Sequence, residues 1–333
     1  MTAQQGSNSI LAVDYDVALL DLDGTIYEGQ RAVPYAKESL QQSMLACKFV
    51  TNNASRTPQV VAEQLQGLGY NCAAADVFTS AQAAIELATQ QVPPPAKAYV
   101  LGAPSFKELI TSAGYQVVPN ADHQPDVVFH GLNREMTWKD MSEAALAIAR
   151  GAIYVLSNRD TTLPDERGFL VGNGSVAAAI TSTTGVEPIS AGKPAAPMFH
   201  LAASGFSKPL AIGDRLDTDI LGGNNAGYDT LLTITGVSRY WDVLNAPANQ
   251  RPTLIAEDMR ALLRPRALAE PRPQGNFTAQ WLGDDSASGV VKLEGEGTAI
   301  EALLTVASVA WTQENPVEVE PSPSAEAAVQ AWI

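Results

Sequence analysis

The sequence predicts an α/β protein built around a parallel sheet, and three observations carry that expectation. Short apolar runs alternate with longer amphipathic stretches almost throughout, the pattern of repeated βαβ units. Several of those runs carry no polar alternation, as strands buried on both faces require. Polar and acidic residues then gather just after the runs, at the sheet edge where open α/β proteins bind ligands.

The first run, Val17–Leu20, predicts a buried strand ending at Asp21-Leu22-Asp23-Gly24-Thr25. Side chains alternate along a strand, so Asp21 and Asp23 point the same way at its carboxyl end. Two adjacent carboxylates repel unless something positive holds them, usually a divalent cation. Gly24 lets the chain turn away sharply. A helix around Tyr35–Met44, a strand at Cys47–Val50 and helices over Pro58–Leu68 and Ser80–Gln91 follow. Val92-Pro93-Pro94-Pro95 reads as a linker, because proline neither continues a helix nor joins a central strand.

Beyond it, strands at Ala98–Leu101, Val127–Phe129 and Ile153–Leu156 alternate with helices at Ser105–Ala113 and Trp138–Arg150. That is enough for a small α/β domain. A helix from Pro194 to Ser204, with proline in its first turn, precedes strands Pro209–Ile212 and Thr230–Thr235. A second linker runs from Arg264-Pro265 to Pro273-Gln274, with two strands at Phe277–Leu282 and Val290–Leu293 after it. Thr298 and Glu301 form a capping box ahead of a helix over Ala299–Thr312. Proline and glutamate in Glu314–Ser324 predict a mobile end.

Length and composition narrow the function. A chain of 333 residues predicts two or three domains, and 46% apolar residues suffice for a full core. Its 21 Lys and Arg against 36 Asp and Glu give a formal charge of −15, which argues against nucleic acid or an anionic membrane as partner. Residues 265–333 hold three basic and ten acidic residues, a net −7, leaving −8 for everything before them. An anionic substrate therefore remains possible in the long first part. Cys47 and Cys72 do not make a disulfide scaffold. With no basic or long apolar start and no membrane-length apolar stretch, a reduced, cytoplasmic setting is expected.

Three further clusters carry chemistry. In Val50-Thr51-Asn52-Asn53, at a strand end, the Thr51 hydroxyl and the Asn52 main-chain N–H can donate to a phosphoryl oxygen, although an asparagine-rich loop capping the next helix fits as well. Lys193, in Gly192-Lys193-Pro194, could neutralise a bound phosphate and the clustered acids, or lie solvated on the surface. Ile212-Gly213-Asp214-Arg215-Leu216-Asp217-Thr218-Asp219 follows another apolar strand. Asp214 falls at its tip and Asp219 one turn on, hard oxygen ligands suited to Mg²⁺, while Asp217 or Thr218 could simply cap a helix.

Acid pair, hydroxyl, lysine and second acid pair, in that order, closely resemble the four motifs of the haloacid dehalogenase (HAD) superfamily of phosphohydrolases. The resemblance covers roughly residues 15–262 and sets Asp21-x-Asp23-x-Thr25, Thr51, Lys193 and Gly213-Asp214-x-x-x-x-Asp219 against those motifs. It implies that Asp21 attacks phosphorus and forms an aspartyl-phosphate. Asp23 protonates the leaving alcohol and then takes a proton from the hydrolytic water. It further implies Mg²⁺ held by Asp21, the Asp23 carbonyl and Asp214 and supported by Asp219, directly or through water. Thr51, Asn52 and Lys193 hold the phosphoryl group.

Spacing selects a branch of that family. Thr25 and Thr51 are 26 residues apart, room for a helix and a short flap, whereas Thr51 and Lys193 are 142 apart. The extra α/β segment resembles the type 2 cap of subfamily IIA, which acts on small phosphate esters. The implied fold is a Rossmann-like parallel sheet core with an inserted α/β type 2 cap and a small C-terminal α+β extension. Its divisions are residues 1–91 and 188–264 (core), 92–187 (cap) and 265–333 (acidic extension). Ser157-Asn158-Arg159-Asp160 resembles a substrate-facing cap loop, and Arg159 stands where most relatives carry proline, which suits either a polar or anionic leaving group or a surface arginine.

The expected reaction is Mg²⁺-dependent hydrolysis of a small phosphorylated metabolite, glycerol 3-phosphate first. Phosphoglycolate, a sugar phosphate or pyridoxal phosphate are the alternatives. A phosphoacceptor signalling module uses similar residues, but Asp23 and a cap of 96 residues have no role in one. Transfer to an alcohol, as in a mutase, is a third reading. Gly172-Asn173-Gly174-Ser175-Val176-Ala177 matches a dinucleotide-binding fingerprint, yet the acid expected about twenty residues on is missing. His123, His130 and His200 lack ligand spacing. Oligomeric state is not legible.

Overall fold

The computed structural model describes residues 9–165, 167–282, 289–313 and 317–333. The chain forms two compact units, Met1–Lys48 with Gly205–Ile333, and Phe49–Ser204.

In the first unit four parallel strands lie in the order Leu254–Ala256, Asp229–Thr233, Pro209–Gly213, Val17–Leu20. All four residues of Val17–Leu20 are buried, as expected of a strand covered on both faces. Leu20 pairs with Ile212 and Ile212 with Leu231, so the strand tips stand level and deliver Asp21 and Asp214 to one edge. The short flap is present as a hairpin of Tyr27–Glu28 and Arg31–Ala32, followed by the helix Ala36–Ser43. The strand Leu254–Ala256, three residues long, was too short to stand out from its apolar surroundings.

The last sixty residues add a second sheet, with Gly289–Glu294 in the centre, antiparallel to Thr278–Trp281 and parallel to Val317–Pro321. The expected mobile end is thus a strand from Val317 on, and Glu314 to Pro316 lie outside the described residues. Val317, Val319 and Pro321 alternate with exposed Glu318 and Glu320, a period-2 pattern that average composition conceals. The second linker is also packed. Leu11 N–H donates to the Arg264 carbonyl, Arg266 reaches Tyr15, Asp229 and Glu270, and Gln274 is buried. Helix Ala299–Ala310 carries the predicted Thr298–Glu301 capping box.

In the second unit the strand ending at Thr51 pairs in parallel with Val77–Thr79. Helices Pro58–Gly67 and Ser80–Thr89 follow their expected positions. A separate five-stranded parallel sheet has the order Ile189–Ser190, Ile153–Leu156, Val127–His130, Lys97–Leu101, Gln116–Val117. Helices Pro104–Ser112, Trp138–Ala149 and Asn173–Thr184 connect it. Trp138–Ala149 opens on Thr137, whose hydroxyl accepts from Asp140 N–H in a capping box. The helix expected from Pro194 starts instead at Pro197 and ends at Ala202. With Pro194 at the first helical position, Pro197 would fall where the first intrahelical N–H must donate, and proline has none. No helix among the described residues is long and apolar enough to cross a membrane.

Candidate active site

In the first unit the chain leaves strand Val17–Leu20 with Asp21 N–H still bonded to the Ile212 carbonyl at 2.9 Å, which fixes the Asp21 main chain at the sheet edge. Gly24 then turns at φ +87°, and the Leu22 carbonyl accepts from Thr25, Ile26 and Tyr27. Asp23 sits in that turn and is exposed. Thr25 is buried and donates its hydroxyl to Asp214 Oδ1 at 3.1 Å.

Asp214 is fully buried at the tip of Pro209–Gly213. After it the chain makes a π turn over Leu216–Ile220, in which both Asp219 and Ile220 N–H donate to the Arg215 carbonyl. The extra residue in that turn folds Asp219 back to the strand tip, where its Oδ2 accepts from Arg215 N–H at 3.1 Å. A side chain at Gly213 would meet Asp219 at 2.3 Å, so glycine is required for that return. Asp217, the alternative helix cap, is exposed and paired with the Arg215 guanidinium.

One carboxylate oxygen each from Asp21, Asp214 and Asp219 lies within 4.8 Å of the others. Among the described residues this is the one such group of acids, histidines or cysteines. Three like charges held this close, two of them buried, call for a cation. An all-oxygen donor set fits a hard ion such as Mg²⁺.

The second unit brings Thr51, Asn52, Asn158, Asp160 and Lys193 together. Thr51 Oγ1 accepts from Asn53 N–H at 3.2 Å, which leaves its own proton to donate elsewhere. The Asn52 carbonyl accepts from Ser80 and from Asn158 Nδ2, at 2.7 and 2.8 Å. Its Nδ2 donates to the Lys193 carbonyl and to both oxygens of Asp160 at 3.2 and 3.3 Å. Lys193 is 3% exposed, its ammonium donating to the Val50 carbonyl at 3.1 Å, so the solvated alternative does not hold. Gly192 lets the chain pass, since a Cβ there would strike the Ser157 carbonyl at 2.4 Å. Arg159 points away from this group, donating to the Pro188 carbonyl at 2.8 Å and to exposed Glu187. Asp160 was not singled out from sequence, because only its pairing with Asn52 distinguishes it from a loop acid.

The glycine-rich fingerprint has a packing explanation. Side chains at Gly172 and Gly174 would meet the carbonyls of Asp160 and Arg159 at 2.3 and 2.2 Å. Gly172 and Gly174 N–H donate to Thr161 and Asp160, and Asn173 Nδ2 to Asn158. The helix start that would cradle a pyrophosphate is filled by the chain's own loop.

Comparison with known proteins agrees with this geometry. A family model for haloacid dehalogenase-like hydrolases matches residues 18–116, and a second, for HAD-hydrolase-like proteins, matches 190–262. The chain is 39% identical over 335 residues to a D-glycerol 3-phosphate phosphatase of Mycobacterium tuberculosis, covering 97% of this chain and 95% of that protein. It is 36% identical over 253 residues to an acid sugar phosphatase of Staphylococcus aureus, covering 74% and 95%. Among solved structures, a glycerol phosphate phosphatase from M. tuberculosis in complex with magnesium superimposes with a TM-score of 0.92 at 38% identity, over 98% of this chain and 99% of that one. With the α/β fold and the four motifs in their order, these matches establish that the chain belongs to the haloacid dehalogenase-like hydrolases.

Proposed function

We propose that this protein is a Mg²⁺-dependent phosphomonoester hydrolase whose preferred substrate is glycerol 3-phosphate. The convergence of Asp21, Asp214 and Asp219 carries the reading. Near-full-length similarity to a D-glycerol 3-phosphate phosphatase supports the substrate, and the acid sugar phosphatase match makes sugar phosphates the second candidate.

Bound at these three carboxylates, Mg²⁺ supplies the positive charge that lets an anionic nucleophile approach an anionic phosphoryl group. The Asp21 carboxylate attacks phosphorus in line as the ester bond breaks, and Asp23 gives its proton to the departing alkoxide. Asp23, now a carboxylate, takes a proton from water as that water attacks the Asp21 acyl-phosphate, and inorganic phosphate leaves. The Thr51 hydroxyl, the Asn52 N–H and the Lys193 ammonium hold the phosphoryl oxygens. Asp219 supports the ion directly or through water.

The proposed division is a core of residues 1–91 and 188–264 with 92–187 inserted as the cap segment, whose loop bearing Asn158 and Arg159 would meet the leaving group. Arg159 would have to exchange Glu187 for an anionic leaving group, which favours a neutral polyol. The charge of −15 weighs against nucleic acid and anionic membranes, and two free cysteines suit a reducing cytoplasm.

A phosphate-release screen over glycerol 3-phosphate, phosphoglycolate, pyridoxal phosphate and sugar phosphates tests the proposal. Glycerol 3-phosphate is expected to give the highest kcat/KM, and chelation with EDTA to abolish it. Asp21→Asn is expected to lower kcat by a factor of about 10⁴ or more. Retained Mg²⁺-dependent turnover by that variant, or a phosphoenzyme stable for minutes without turnover, would overturn the mechanism.

A further inference from the structure

The residues after strand Asp229–Thr233 belong to none of the four motifs, yet two of their main-chain N–H groups bond to Asp214. Strand Asp229–Thr233 lies beside Pro209–Gly213, with Leu232 opposite Gly213, so the chain leaving Thr233 passes beside Asp214. Val237 N–H donates to Asp214 Oδ2 at 2.6 Å, and Ser238 N–H donates to the Asp214 carbonyl at 3.1 Å. Buried Ser238 Oγ in turn accepts from Leu216 N–H at 3.1 Å, tying the same turn to the start of the Leu216–Ile220 π turn that carries Asp219. A Cβ on Gly236 would lie 2.0 Å from Asp214 Oδ2. A Cβ on Gly24 would lie 2.6 Å from the same oxygen, and the Thr235 hydroxyl donates to the Gly24 carbonyl at 2.7 Å.

Asp214 is therefore enclosed by two glycine-bearing turns that are bonded to each other. Mg²⁺ demands near-ideal octahedral geometry at short distances, so a carboxylate that can swivel is a poor ligand for it. An anionic side chain repelled by two others also needs fixed donors to hold its orientation.

We infer that Thr235-Gly236-Val237-Ser238 is a positioning element for the metal centre, which fixes the rotation of the Asp214 carboxylate and so sets the affinity for Mg²⁺. The inference rests on the proposed hydrolase reading. It assigns no contact with substrate to these residues; they act through Asp214.

Gly236→Ala forces Asp214 Oδ2 from its place, and Thr235→Val removes the hydroxyl that donates to the Gly24 carbonyl and accepts from buried Thr233 Oγ1 at 3.0 Å. Three quantities are measured on the full-length protein: the Mg²⁺ concentration for half-maximal phosphate release, the rise in Tm on adding Mg²⁺ without substrate, and KM for the ester at saturating Mg²⁺. Gly236→Ala is expected to raise half-saturation by about tenfold to a hundredfold and to remove most of the Mg²⁺-induced rise in Tm. Thr235→Val should move both in the same direction by less, and KM should stay within about twofold for each. Should Gly236→Ala not fold, Thr235→Val alone decides. Wild-type half-saturation and a wild-type rise in Tm in the folded variants overturn the positioning role. Wild-type protein that neither releases phosphate nor gains Tm with Mg²⁺ would instead overturn the hydrolase reading itself.

Discussion

A single histidine sets a pH limit on this chain. His130 is fully buried, with Nδ1 2.8 Å from the Tyr154 hydroxyl and its ring stacked on that of Tyr154. Nε2 has no partner among the described residues. Burial holds its pKa down to about 3, against an ordinary value of 6.5. The same burial pushes the Tyr154 hydroxyl up. Between these two pH values the unfolded chain binds a proton that the folded chain refuses. Stability contributed by neutral His130 is thus complete above pH 6.5 and lost as pH falls towards 3. Its contribution to the folding constant should fall by about tenfold per pH unit in that window. His130→Gln keeps a hydrogen-bonding group that does not titrate. Urea denaturation of both proteins at pH 7 and pH 5 should show the wild type losing more stability than the variant. Parallel losses would mean that His130 takes up its proton within the folded state. The same residue marks what sequence could and could not reveal. Without ligand spacing, sequence left His130 a core or surface role, and nothing in one dimension showed that it is buried facing Tyr154.

Among elements, those with a strong period were legible. Val17–Leu20 and Ile153–Leu156 have the bounds expected of them, because an unbroken apolar run in an α/β pattern has few other readings. Val317–Pro321 was misread, since five residues of alternation are outweighed by flanking Pro and Glu. The site followed the same logic. Asp21, Asp214 and Lys193 were legible because residue type and motif spacing mark them, and the structure brings Asp21 and Asp214 to one sheet edge and buries Lys193. Val237 was not, because it contributes an N–H that any residue but proline has. Gly172 and Gly174 lie between: the pattern was visible, but its purpose is close packing of helix Asn173–Thr184 against loop Ser157–Thr161. Gly174→Ala should therefore push the Arg159 main chain outward. Expected outcomes are a Tm lower by several degrees, from about 1–3 kcal/mol of overpacking, and a raised KM for the ester with kcat little changed. A wild-type KM in a folded Gly174→Ala protein would separate this loop from the leaving group.

For the molecule as a whole, the acidic last third of the first unit is the least expected feature. Sequence predicted an acidic extension with a mobile end, yet the segment shares one buried core with the sheet. Ile220, Leu232, Val243 and Ile255 from the sheet region share one buried cluster with Phe277, Val291, Leu293, Leu303 and Trp332 from the C-terminal segment. The Trp332 indole N–H donates to the Ala299 carbonyl, its ring meets Trp241 edge-on, and Arg251 reaches the carbonyls of Trp311 and Gln313. Acidic residues such as Glu318 and Glu320 face outward, so charge and burial coexist in one segment through period-2 alternation. Removing residues 265–333 would strip the cover from Leu232, Val243 and Ile255, all of which are fully buried. Such an exposed apolar patch drives association rather than a smaller soluble enzyme. The truncated chain is expected to aggregate, whereas a detachable flank would leave a monodisperse, active protein. Leu303→Ala makes the argument quantitative without truncation. Leu303 is fully buried on helix Ala299–Ala310, and the cavity should cost about 2–5 kcal/mol. If the C-terminal segment and the sheet fold as one unit, a single denaturant transition will shift as a whole, with phosphate release lost along the same curve as far-UV ellipticity. Two separated transitions, with activity surviving the first, would show that the segment stands apart from the core it covers.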